Sequence, residues 1–231
     1  MHKAVVLSSG GLDSTTCVGY AVKIHGAENV STVSCYYGQK HDKEIKAAEA
    51  VADYYGVKHY EMDLSEIFKH SNCALLKTSD QEIVHEDYAS QTSKGKVNTY
   101  VPFRNGLMLS AASTLAMSLY PEDTVEIYIG VHADDVAGNA YADCSIEFAD
   151  AMRHAILQGT YNQVNVIAPF VRMNKAQIVK TGINIGVPYE LTWSCYEGGE
   201  KQCGTCGTCI DRKKAFEENG IEDPVPYEEG R

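Results

Sequence analysis

The chain has 231 residues, 44% of them hydrophobic and 22% charged, which suits a folded domain with one sizeable core. Its 31 acidic residues outnumber 20 basic ones, and the net charge of -11 argues against nucleic acid, whose phosphates are met by Lys and Arg. No apolar run approaches the roughly 18 residues of a membrane span, and Ala4-Val5-Val6-Leu7 is too short for a signal peptide, so a cytoplasmic protein acting on small molecules is expected.

Strand-like apolar runs alternate with helical periodicity, which predicts an α/β fold, a doubly wound parallel sheet with helices on both faces. Lys3–Leu7 reads as the first strand, Ser14–His25 as a helix stopped by Gly26, and Val30–Tyr37 as the second strand. His41–Tyr55 carries Ile45, Ala48, Val51, Ala52 and Tyr55 at helical spacing and closes at Gly56; Lys58–Met62 is a short third strand. Residues 71–98 are polar and read as a long insert or mobile lid. An apolar helix follows over Arg104–Tyr120, then strands at Thr124–Val131 and Val164–Ala168, and a helix beginning at Asn174. Two units are expected: an α/β domain over 1–190 and a cysteine-bearing segment over 191–231.

Ser8-Ser9-Gly10-Gly11-Leu12-Asp13-Ser14-Thr15 lies between the first strand and its helix, where open α/β sheets bind ligands. Paired glycines let backbone N–H groups approach an anion, the hydroxyls add donors, and the helix presents its positive end. Asp13 either caps the helix, orients the hydroxyls, or holds a magnesium ion. The string lacks the Lys of a Walker A loop and resembles the ATP pyrophosphatase loop, which implies cleavage of ATP between its α- and β-phosphates. Leu7 through Thr15, with Gln39 after the second strand, are thus the ATP-binding candidates.

Cys195, Cys203, Cys206 and Cys209 supply four thiolates in fifteen residues, with glycines after Cys203 and Cys206 for tight turns. An iron–sulfur cluster is the rival, but the Pro that ends ferredoxin motifs is absent. Four protein ligands fill a zinc tetrahedron, so the expected zinc is structural and fixes Leu191–Ser194 and the C-terminal segment near the active site.

Arg104 opens a helix against the dipole preference, which points either to an anion, phosphate or carboxylate, or to a solvent-facing side chain. Lys175 opens another and either meets the leaving pyrophosphate or is solvated. His132 is either an active-site base or a polar strand end. Asp134 lies on the ligand-binding edge and Asp143 precedes a helix. Asp143 either accepts two parallel hydrogen bonds from a guanine-like ring or caps that helix, with Phe103 or Tyr141 as stacking candidates.

These strings together resemble the 7-cyano-7-deazaguanine synthase family of queuosine precursor biosynthesis. The resemblance rests on Ser9–Ser14, Tyr37-Gly38-Gln39, Val101–Asn105, Tyr141–Cys144, Thr192–Tyr196 and Cys203-Gly204-x-Cys206-Gly207-x-Cys209, and extends into the Asp223-Pro224 tail. Ala142 stands where the family usually has Pro. The resemblance implies that 7-carboxy-7-deazaguanine is adenylated by ATP and Mg2+, aminated by ammonia through an amide, and converted to the nitrile. It also implies one structural zinc per chain and a homodimer, and Asp13, Ser14, Arg104 and Lys175 are the candidates for the catalytic roles. Rival readings are an amide-forming GMP or NAD synthetase relative, a tRNA-modifying relative, and a zinc-dependent interaction module. The first usually carries a glutaminase, the second needs a basic surface, and the third leaves Asp13 and Ser14 unexplained.

Overall fold

The computed structural model describes residues 2–136 and 140–228. Its centre is a five-stranded parallel sheet of order β3-β2-β1-β4-β5: β1 His2–Leu7, β2 Val30–Tyr36, β3 Lys58–Asp63, β4 Thr124–Tyr128 and β5 Val164–Ile167. Val6 pairs with Thr32 on one side and with Tyr128 on the other, so β1 is central, and its Ala4–Leu7 side chains are buried on both faces. Nine α-helices flank the sheet among the described residues: α1 Leu12–His25, α2 Lys43–Tyr55, α3 Ser65–Phe68, α4 Tyr88–Lys94, α5 Arg104–Leu119, α6 Ala133–Val136, α7 Ile146–Gly159, α8 Lys175–Ile185 and α9 Gly207–Glu218.

Alternation along β1 decides which core each residue enters. Ala4 and Val6 join Val18 and Ala21 of α1, Val51 of α2, Ile178 of α8 and Phe216 of α9 on one face. Val5 and Leu7 join Leu109 and Ala112 of α5 and Ile156 of α7 on the other. The expected doubly wound architecture is therefore present, with element ends within a few residues of the sequence reading. The chain runs from β1 to β2 in one direction and to β4 in the other, so the loops after β1 and β4 flank a topological switch point.

The 71–98 insert is less open than its polar composition suggests. Cys73, Ala74, Leu75 and Leu76 are buried in a third cluster with Tyr37, Phe68 and all four clustered cysteines. The insert also contains α4, capped by Asp87, whose carboxylate accepts the Ser90 N–H at 2.8 Å. α9 begins two residues before Cys209, so the last cysteine sits on the helix itself.

Candidate active site

The loop after β1 is built by contacts only glycine permits. Gly10 has φ +73, and a Cβ there would lie 2.3 Å from the Glu44 carbonyl oxygen and 2.5 Å from the Ala48 nitrogen. The turn is thereby pressed onto the first turns of α2. Gly130, just past β4, is confined less severely: a Cβ would come within 3.1 Å of the Asp13 backbone. Within the loop, Ser9 and Ser14 share a hydroxyl–hydroxyl bond of 3.0 Å, and the Ser9 N–H donates to Ser14 Oγ at 3.2 Å. Gly11 is the N-cap of α1 and has no side chain with which to cap the first-turn N–H groups. Ser8 Oγ and Asp13 Oδ1 are buried without a hydrogen-bond partner among the described residues.

Asp13 is neither the cap nor a surface acid. Its Oδ2 lies 3.6 Å from Lys175 Nζ and 3.4 Å from His132 Nε2, and His132 is also 3.3 Å from Asp135. Burial pushes the Asp13 carboxyl up, but Lys175 and His132 outweigh it and hold the group far below the usual carboxylate range. Burial pushes His132 down, yet Asp135 and Asp13 leave it above the ordinary histidine value. Lys175 is only 7% exposed at the start of α8, where the dipole disfavours a cation. Burial lowers its pKa and Asp13 leads the carboxylates that raise it, with a net rise. The Asn174–Gln177 capping box fixes the backbone of that turn, and Asp134 Oδ2 accepts the Lys175 N–H at 2.7 Å.

Asp13, Asp135 and Lys175 open into one cavity of about 220 Å3. Of the candidates read from the sequence, Leu7, Ser8, Ser9, Gly11, Leu12, Asp13, Ser14, Gln39, Arg104 and Lys175 line it. Gln39 spends its Oε1 on the Tyr37 N–H at 2.8 Å. Arg104 stacks 5.2 Å over the Tyr37 ring and donates to its hydroxyl at 3.2 Å.

Seven candidates stand outside the cavity wall, among them His132, 1% exposed beside Asp13 and Asp135. Gly10 faces α2, and Thr15 is fully buried behind the loop. Phe103 is 55% exposed and meets Phe148 edge-on at 5.8 Å. Tyr141 hydrogen-bonds Thr99 at 2.7 Å. Asp134 is taken by the Lys175 N–H, and Asp143 Oδ2 accepts the Asn105 N–H at 3.0 Å. Asp143 thus supplies the anion at the start of α5 that the helix lacks in its own first turn, while Ser145 caps α7.

The sequence reading did not single out Glu44, Tyr88 or Ser34, all on the cavity wall. Glu44 follows the Tyr37-Gly38-Gln39 string by five residues, the one signal that was available.

The four clustered cysteines are buried, and their Sγ atoms lie within 4.8 Å of one another. Zn–S bonds of about 2.3 Å set tetrahedral S···S edges of about 3.8 Å, close to the 4.0 Å between Cys203 and Cys209. Backbone N–H groups of Cys203 and Glu197 point at Cys195 Sγ, and those of Thr205 and Cys206 at Cys203 Sγ, as thiolates require. The donor set fits a metal. Trp193 and Ser194, just before Cys195, line the cavity, as does Thr208 inside the knuckle. Arg212, 1% exposed, pins the same stretch by bonding Thr192 Oγ1 at 2.7 Å and Ser194 Oγ at 3.2 Å while pairing with Asp223.

Comparison with known proteins agrees with this geometry. A solved NMN synthetase from Francisella tularensis superposes with a TM-score of 0.51 at 11% identity, covering 95% of this chain and 78% of that one, which speaks to the fold alone. Curated 7-cyano-7-deazaguanine synthases are far nearer in sequence. The Archaeoglobus fulgidus protein is 41% identical over 228 residues, covering 98% of this chain and 91% of its own. The Caldicellulosiruptor saccharolyticus protein is 43% identical over 226 residues, covering 98% and 96%. The family model described as "Queuosine biosynthesis protein QueC" matches residues 3–220. With that match spanning nearly the whole chain, loop and cysteine cluster included, the chain belongs to the QueC family of queuosine biosynthesis proteins.

Proposed function

We propose that the chain is a 7-cyano-7-deazaguanine synthase, a ligase that forms a carbon–nitrogen bond at the expense of ATP. The observation that carries the reading is the meeting of the Ser8–Ser14 loop, Lys175 and Arg104 in one cavity.

In the proposed reaction a carboxylate oxygen of 7-carboxy-7-deazaguanine attacks the α-phosphorus of ATP, and pyrophosphate leaves. Ammonia adds to the carbonyl carbon of the acyl adenylate and AMP leaves, giving the amide. The amide oxygen then attacks a second α-phosphorus, and loss of AMP with the remaining N–H protons gives the nitrile. The loop backbone and the hydroxyls of Ser8, Ser9 and Ser14 hold the phosphates. Lys175 steadies the charge that builds on the leaving pyrophosphate. Arg104 receives the substrate carboxylate. Asp13, with its orphaned Oδ1, would hold Mg2+, which would supply positive charge against the phosphates.

Cys195, Cys203, Cys206 and Cys209 would hold one zinc, and with four protein ligands it would serve as a structural ion, not a catalytic one. Its work is to fix Trp193 and Ser194 against the cavity. We treat 191–231 as an appendage of the 1–190 α/β unit, and the protein as a cytoplasmic homodimer acting on ATP, ammonia and the deazapurine. The test is turnover of the carboxylate with ATP, Mg2+ and ammonium, read by mass spectrometry. A nitrile product with AMP supports the reading, and no nitrile from metal-replete protein rejects it.

A further inference from the structure

The cavity has two charged poles. At the loop pole, Asp13, Asp135, His132 and Lys175 answer one another. At the other, Arg104 and Tyr37 face the zinc-bearing segment through Tyr196. Three carboxylates line the cavity: Asp13, Asp135 and Glu44. The first two are matched by Lys175 or His132.

Glu44 is different. It sits half-buried in the first turn of α2, and its carboxylate faces the cavity with no hydrogen bond or ion pair among the described residues. Arg104 is near enough to bias its ionisation but forms no ion pair with it. Burial dominates, and the Glu44 carboxyl is pushed up to about 7. A carboxylate kept unanswered inside a cavity is a cost to the fold, one a ligand with matching donors removes.

The deazaguanine ring offers such donors. Its pyrimidine edge carries a ring N–H and an exocyclic amine side by side, parallel and coplanar, and an ionised carboxylate has two acceptor oxygens to meet them. Asp143, the other acid considered for this role, is 5% exposed and committed to the Asn105 N–H. Resting on the synthase reading above, we propose that Glu44 is the specificity residue for the ring. Its two carboxylate oxygens accept the N1–H and 2-amino N–H of the substrate, while Arg104 faces the carboxylate on the opposite edge.

The test compares 7-carboxy-7-deazaguanine with its analogue lacking the 2-amino group, in wild type and in Glu44→Gln, with ATP saturating. An amide presents only one acceptor oxygen and cannot take both donors. Wild type is expected to prefer the amino substrate by about 100-fold in kcat/KM, the scale of one charged hydrogen bond. In Glu44→Gln that preference should fall below about fivefold, with the KM for ATP within about threefold of wild type.

A variant that keeps the full preference overturns the proposal. So does a rise of more than about tenfold in the KM for ATP, which would place Glu44 at the ribose. A fall in kcat with preference and both KM values intact also overturns it, and would make Glu44 a proton-transfer group. Misfolding is excluded by a melting temperature for Glu44→Gln at pH 8 no lower than that of wild type. If wild type makes no nitrile, the synthase reading fails separately. Calorimetric binding of the two ring compounds to wild type and Glu44→Gln then still decides whether Glu44 reads the ring.

Discussion

Trp193 donates its backbone N–H to the carbonyl oxygen of Gly10 at 2.9 Å. This single bond ties the segment entering the cysteine cluster to the turn of the phosphate-loop candidate. Two further constraints hold Trp193: its indole N–H donates to the Cys195 carbonyl at 2.7 Å, and Arg212 bonds the flanking Thr192 and Ser194. The metal site and the loop are therefore one mechanical unit.

Stripping the metal should break that unit. Bound structural zinc contributes on the order of 10 kcal/mol to small domains, and without it four buried sulfurs face one another. Chelation, or Cys206→Ser, is expected to lower the melting temperature by well over about 10 °C and to abolish turnover. Because Cys73–Leu76 pack against the same cysteines, hydrogen exchange should accelerate in the 71–98 insert as well as in 191–209. Metal content by mass spectrometry, melting and exchange on one sample check this. An apo protein that melts like the holoprotein would contradict it.

Gly10→Ala should damage both stability and nucleotide binding. The positive φ and the 2.3 Å approach to the Glu44 carbonyl force either the loop or α2 to move. A loss of about 2–4 kcal/mol in urea denaturation is expected, with a raised KM for ATP. The neighbouring Gly11, with ordinary φ and a nearest Cβ contact of 3.3 Å, should tolerate Ala far better in the same melt.

Removing the cation from the loop pole leaves Asp13 buried with only His132. Lys175→Ala is expected to cut the rate of AMP formation by about 100- to 1000-fold and to cost about 3 kcal/mol of stability. Lys175→Arg should recover most of the stability but little of the rate. Steady-state kinetics and denaturation on the two variants separate these effects.

Glu44 gives a pH dependence of defined sign. Its folded carboxyl is raised from the ordinary glutamate value to about 7, so ionisation costs stability as pH rises between those values. Glu44→Gln should therefore gain stability relative to wild type above pH 7, by at most about 3 kcal/mol, and gain nothing below pH 4. The KM for the deazaguanine acid should rise as pH falls below 7 in wild type and stay flat in the variant. A variant equally stable relative to wild type at pH 4 and pH 9 would contradict the assignment.

The loop was legible in the sequence because strand, turn and helix are contiguous, so local order alone places Ser8–Ser14 at the sheet edge. The cysteines were legible because ligand spacing is local too. Asp134 and Asp143 show the limit of such reading: each is claimed by a backbone N–H, of Lys175 and Asn105, about forty residues away. Glu44 escaped notice because an acid in a helical first turn is what the dipole prefers, so its sequence position carries no surprise. Arg212 reads as one more charged residue on a polar helix, yet it is 1% exposed because Asp223, Thr192 and Ser194 converge on it. The insert resembled a lid because its longest buried run, Cys73–Leu76, is too short to show a period, and its other buried residues, such as Ile83, Tyr88 and Val97, are scattered.

The most direct test of the central claim follows oxygen. The substrate is prepared with both carboxylate oxygens as oxygen-18 and incubated with ATP, Mg2+ and ammonium. If each activation proceeds by oxygen attack on the α-phosphorus, every nitrile formed should be accompanied by two AMP molecules, each carrying one heavy oxygen. Nitrile accompanied by ADP and labelled inorganic phosphate would place the attack on the γ-phosphorus and contradict adenylation.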